Sequence, residues 1–180
     1  MPLSPWRRRA LAALVIALAT HAAAVLAFPP ALMALVLSRI EARAGTNRAF
    51  FAPRPDHTFR AIVRPSPDLL YAVCVIDLGA AGGEVELDAT LPSTYGSLAL
   101  YDANTDVVEV LRDRDFQGGI VRARVVAPGA PAREDGVRTL RLSTRRGLVL
   151  QRVLVVNEAS LAEAERARRG LRCRPRGAGR

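Results

Sequence analysis

From Ala10 to Phe28 the chain runs for nineteen residues in which only Thr20 and His21 are polar. As a helix this stretch covers about 28 Å, close to the hydrocarbon thickness of a bilayer. A segment apolar on every side has no face to turn towards water, so it constrains the fold more than any other feature. Arg7, Arg8 and Arg9 precede it without an acidic residue among them. The positive-inside tendency then keeps the N-terminus cytoplasmic and exports everything beyond the span. These residues predict a single-pass protein of the inner (cytoplasmic) membrane with a periplasmic C-terminal domain. The competing reading is a cleaved signal peptide, with Ala22, Ala23 and Ala24 supplying the small residues of a cleavage site. The length of the apolar run favours the anchor. His21, near the outer end of a lone helix, is expected to be passive rather than a proton relay.

Pro29-Pro30 follows at once, and a proline pair is expected to break or kink the helix and start a new one. An uninterrupted helix from Ala10 to Ile40 would be about 46 Å long, too long to span without strong tilt. In the second segment Met33, Val36, Leu37 and Ile40 recur at helical spacing, flanked by Arg39, Glu41 and Arg43. The pattern predicts an amphipathic helix lying on the outer membrane face or against a partner.

Beyond Gly45 the periodicity changes to that of strands. Candidates are Thr58–Arg64, Leu69–Leu78, Glu84–Thr90, Tyr95–Asp102, Val107–Leu111, Ile120–Ala127, Arg138–Leu142 and Leu148–Val156, separated by turns rich in Gly and Pro. Glu84 to Asp88 and Val121 to Val125 alternate cleanly, so each should have one wet face, whereas Leu69–Ile76 is apolar on both sides and should be central. Ser160-Leu-Ala-Glu163 has the form of a capping box opening a helix closed by Gly170. The expected fold is mainly β: one jelly-roll or sandwich-like β-domain, preceded by an N-terminal transmembrane helix and followed by a short C-terminal helix. The expected divisions are a cytoplasmic basic N-terminus (1–9), the span (10–28), a juxtamembrane amphipathic helix (29–44), the exported domain (45–173) and a basic tail (174–180).

A net charge of +9 invites a nucleic-acid reading. Every basic residue is arginine, however, and basic residues alternate with acids through much of the domain, as in Arg112-Asp-Arg-Asp115. That pattern does not make a phosphate-binding stripe, so no nucleic-acid partner is expected.

Two motifs carry a family signal. The first is Arg64-Pro-Ser-Pro-Asp-Leu-Leu-Tyr71, leading into a strand that ends in Asp77-Leu78. The second is Tyr101-Asp-Ala-Asn-Thr-Asp106. Together they resemble the domain of unknown function 1254 (DUF1254) family, in particular its short members with one N-terminal membrane helix. Ser66 and Leu69 stand where that family more often has Asn and Thr. The resemblance covers roughly residues 45 to 173 and implies no defined activity. It implies a β-domain beside a separate small membrane protein carrying a complementary jelly-roll-like domain. It also implies a disulfide between Cys74 and Cys173, because short members carry cysteines at both places. The alternative is a buried inert Cys74 with a free thiol in the tail.

Catalytic resources are thin. His57 is the only histidine outside the span, nothing near it resembles a nucleophile motif, and the Cys and His residues are too few for a zinc site. Asp102-x-Asn104-x-Asp106 with Asp113 has part of the spacing of a calcium loop, but Val107 stands where such a loop needs glycine. No metal or other cofactor is expected, and Asp102 and Asn104 are instead expected to satisfy backbone groups in a tight turn. The leading expectation is a non-catalytic membrane protein, its partners the lipid bilayer and the second small membrane protein. The alternatives are a small-molecule-binding module using Asp68, Tyr71, Tyr101, Asp102 and Asn104, or a carboxylate-dependent hydrolase. The first requires these residues to share one cleft, and the second requires two carboxylates in one cleft, the candidates being Asp68, Asp77, Asp102 and Asp106.

Overall fold

The structure is a computed structural model and describes residues 4–56, 58, 65–115, 117–131 and 133–177. A long helix, α1 (Pro5–Ala44), leads into nine strands: β1 (Ala49–Phe51), β2 (Leu69–Asp77), β3 (Glu84–Thr90), β4 (Gly96–Asp102), β5 (Val107–Arg112), β6 (Ile120–Val126), β7 (Arg138–Arg141), β8 (Arg146–Leu154) and β9 (Arg172–Pro175). A short helix, α2 (Leu161–Arg168), precedes β9. The strands form a five-stranded sheet in the order β1-β2-β8-β4-β5 and a four-stranded sheet in the order β7-β6-β3-β9. Every pairing is antiparallel except β6 with β7. The expected two-layer β-domain is present. The expected strand Thr58–Arg64 falls, apart from Thr58, outside the described residues, as does His57.

The alternation of side chains explains the layering. From the larger sheet, Ala72, Cys74, Ile76, Leu98, Leu100 and Val149 face inwards and meet Val85, Leu87, Val121, Ala123 and Val125 of the smaller sheet. The disulfide Cys74–Cys173 crosses this core and joins β2 to β9, closing 99 residues of sequence separation. On its other face the larger sheet presents Val73, Val75 and Leu148 to Met33 and Leu37 of α1. That second covering is why β2 is apolar on both faces. At one end Leu70, Val153 and Val155 are closed off by Ala164 and Ala167 of α2. On the outer face of the smaller sheet Glu84, Glu86 and Asp88 of β3 stand opposite Val126, Arg124 and Arg122 of β6; Glu86 and Arg122 are exposed there, whereas Arg124 and Val126 are buried.

Three expectations are corrected. α1 continues through Pro29 and Pro30 as one helix, so the expected break into two helices is absent. The prolines' missing N–H groups leave the carbonyls of Val25 and Leu26 without intrahelical donors, a cost offset by docking of the turns that follow. The face Met33, Val36, Leu37 and Ile40, expected to meet membrane or partner, is seated on the protein's own sheet instead. Finally, the capping box belongs to Asn157 and Ser160, one turn earlier than expected, with Ser160 N–H donating to the Asn157 side chain at 2.9 Å. The last strand, β9, runs to Pro175.

Candidate functional site

The residues nominated from sequence are set out by the sheet register. Asp68 precedes β2 at one end of the larger sheet, where its carbonyl accepts from Val155 N–H at 2.8 Å. Asp102 ends β4 at the other, level with Gly147. Eight strand positions separate the two levels, about 26 Å along the strands. Tyr71 lies level with Arg152 and Tyr101 with Leu148, so the tyrosines are also far apart. Tyr71 hydroxyl accepts from Ser66 N–H at 3.0 Å and braces the entry to β2. Tyr101 packs beside the α1 face.

Asp102 and Asn104 do belong together, but in a turn. Asp102 is 2% exposed. Its Oδ1 accepts from the N–H groups of Asn104 (2.8 Å) and Asp106 (3.0 Å), and its Oδ2 accepts from the Ser143 hydroxyl. The carboxylate is consumed in holding the β4–β5 corner, where Thr105 takes a positive φ of 72°. By strand alternation Asp77 continues the helix-covered face and Asp102 the core face, so these two acids point apart. Two open concavities, of about 550 and 560 Å³, are lined by other residues. Among the described residues, no cleft brings the nominated set together.

The described residues do build an elaborate joint between α1 and the sheet. Met33 and Leu37 are buried at the contact, with Val36, Ile40, Phe50, Tyr101 and Leu150 around them. Burying side chains of this size contributes roughly 1.5–3 kcal/mol each. Glu41, one turn on, pairs with Arg146, whose Nε also lies 3.5 Å from Asp77 Oδ2. Thr46 donates to Glu41 at 2.9 Å. Asn47 then locks the turn to β2: its N–H donates to Val75 carbonyl (2.8 Å), and its side chain exchanges a pair of bonds with the Asp77 backbone (3.0 and 2.9 Å). The helix is therefore fixed to the sheet by apolar contact, an ionic cluster and an extension of the ladder.

Sequence reasoning missed Asn47, Arg146 and Arg168. Arg168, in the helix expected before Gly170 but given no role there, is 4% exposed. It donates to the carbonyls of Ala52 and Tyr71 and pairs with Glu165 at 2.7 Å, pinning α2 to β1 and β2. On the smaller sheet Arg124 donates to Asp135, and this hydrogen bond draws the Asp135 carboxyl down to about 2 and raises Arg124. Arg174 pairs with Asp88 at 2.7 Å, and Arg133 and Arg176 share Glu84 at 3.0 and 3.5 Å. This face is largely a self-compensated ionic surface.

No curated protein matches the sequence. Among solved structures, the VPA0106 protein of Vibrio parahaemolyticus aligns with a TM-score of 0.58 at 13% identity, over 79% of this chain and 35% of that one. An uncharacterised protein of Burkholderia cenocepacia aligns with a TM-score of 0.47 at 16% identity, over 72% of this chain and 36% of that one. The chain thus spans about a third of the length of each. The first likeness shows a shared fold, and neither brings an activity with it. The family described as "Protein of unknown function (DUF1254)" matches residues 46–175, from the turn that locks α1 to the sheet through to the last residue of β9. The chain belongs to the DUF1254 family.

Proposed function

We propose that this protein is a non-catalytic, single-pass inner-membrane protein that holds a periplasmic β-sandwich against its own membrane anchor and assembles with a second envelope protein carrying a complementary jelly-roll-like domain. The observation that carries the reading is the division of α1. Leu11, Leu14, Ile16, Leu18, Val25, Leu26 and Phe28 are all more than half exposed, while Met33 and Leu37 are buried on the sheet. A helix that is bare and apolar on one stretch and docked on the next fits an anchor with its domain seated at the exit. Arg7, Arg8 and Arg9 at the near end support a cytoplasmic N-terminus. The disulfide Cys74–Cys173 suits an oxidising compartment. For the partner, the support is that this domain makes up only 35% of the Vibrio parahaemolyticus chain it matches. A partner anchored in the same membrane gains effective concentration for the sandwich.

A reporter active only in the periplasm should work when fused after Ala127 and fail when fused at Arg9. A mature N-terminus near Val25 would overturn the anchor in favour of a signal peptide. Co-purification in mild detergent with a second small membrane protein is expected. Recovery of the wild-type chain alone, as a monomer, would overturn the assembly reading.

A further inference from the structure

We infer that Arg39 and Arg43 of α1 bind the phosphate groups of anionic phospholipids at the outer edge of the membrane, an inference that rests on the anchor reading above. Phe28, Leu32, Leu35, Arg39 and Arg43 succeed one another at intervals of three or four residues and so share one face of the helix. Phe28, Leu32 and Leu35 are 67%, 44% and 46% exposed, and both arginines are exposed as well. Over the same turns the sheet covers Met33 and Leu37. The helix therefore leaves the membrane with one side against protein and the other bare, apolar as far as Leu35 and cationic beyond it.

Lengths place the change from apolar to cationic. Ala10 to Leu35 measures about 39 Å along the helix against about 30 Å of hydrocarbon, which a tilt of about 40° accommodates. Leu35 then marks the hydrocarbon edge. Arg39 lies about 6 Å further along the axis and Arg43 about 12 Å, within reach of the headgroup layer for side chains that extend towards it. Neither arginine has a hydrogen-bond or ion-pair partner among the described residues, whereas Glu41 between them is taken by Arg146. Each guanidinium offers five N–H donors in a fork that fits phosphate oxygens. Two such unpaired forks beside an apolar stripe match an anionic phospholipid, whose chains meet Leu32 and Leu35 while its phosphate meets the arginines.

The test uses the full-length chain in detergent micelles doped with phosphatidylglycerol or phosphatidylcholine, with retained lipid counted by native mass spectrometry. Wild type should retain phosphatidylglycerol in preference. Arg39→Gln with Arg43→Gln should cut that preference by roughly 25-fold, since each basic residue near the surface contributes about a five-fold effect. Arg39→Lys with Arg43→Lys should keep part of it. Equal retention of both lipids by wild type would overturn the inference. So would a preference that survives the glutamine pair and disappears only when Arg7, Arg8 and Arg9 are replaced. Carbonate extraction of membranes separates the two levels. A chain that resists extraction but shows no lipid preference overturns this inference alone. A chain released by carbonate overturns the anchor reading with it.

Discussion

Glu41 of α1 and Arg146 at the start of β8 form an ion pair that ties the end of the long helix to the middle strand of the larger sheet. Asp77 stands 3.5 Å from the same guanidinium, so removing Glu41 leaves Arg146 one of its two carboxylates. The apolar contact beside this pair is the larger stabilising element, because Leu37 is 1% exposed. Leu37→Ala should destabilise the sandwich by about 2–5 kcal/mol, and Leu37→Asp by more. Leu35→Ala, on the bare side, should change its stability by less than about 0.5 kcal/mol. Thermal melts of the full-length chain in detergent check both. An unchanged melt for Leu37→Asp would mean that the helix does not dock.

The disulfide closes a long loop through the core, so its loss should act mainly on the unfolded chain. Cys74→Ser or Cys173→Ser should each lower stability by about 4–5 kcal/mol in the chain-entropy account. Each should also abolish a faster-migrating band on non-reducing gels. Complete alkylation of both thiols without prior reduction would show that the bond is absent from the folded protein.

Much of this fold was legible because alternation and turn residues are local signals. The expected Glu84–Thr90 matches β3 at both ends, and the two-faced apolar run of β2 correctly marked a central strand. What covers its second face was not legible: helical spacing of Met33, Val36, Leu37 and Ile40 shows that a face is apolar, not which surface it meets. β1 was hidden because three residues, Ala49–Phe51, are too few to show a period. β9 was hidden because Arg172 and Arg174 point to solvent around Cys173, and a strand of alternating arginines resembles a solvated tail. The family motifs were legible as sequence but not as a site. They mark the entry to β2 and the β4–β5 corner, which the register puts at opposite ends of one sheet.

That corner supplies a third prediction. Asp102→Ala leaves the N–H groups of Asn104 and Asp106 and the Ser143 hydroxyl without their shared acceptor. A loss of about 2–4 kcal/mol is expected, since each buried polar group left unpaired costs about 1–3 kcal/mol and partial rehydration recovers some of it. Asn104→Ala, at an exposed position, should change stability by less than about 0.5 kcal/mol. Calcium should leave the wild-type melting temperature unchanged, because the Asp102 carboxylate is already engaged. A calcium-dependent rise abolished by Asp102→Ala would instead establish a metal site.

The pair Arg124–Asp135 gives a prediction about pH. The hydrogen bond from Arg124 is the largest influence holding the Asp135 carboxyl down, from 3.8 to about 2. A carboxylate with a depressed folded value binds its proton later than the unfolded chain does. Its contribution is therefore fully present above the unfolded value near 3.8 and is lost as pH falls towards 2. Asp135→Asn removes the titration and leaves the rest of the surface in place. The stability difference between wild type and this variant should stay constant from neutral pH down to about 5, then shrink steadily below 4. The Asp135 side chain is 48% exposed, so solvent screening keeps the effect modest and raised salt should diminish it. Subtracting the two pH profiles cancels the contributions of groups that both proteins share. A difference that persists undiminished to about pH 2 would show that the ionised carboxylate of Asp135 does not contribute to stability.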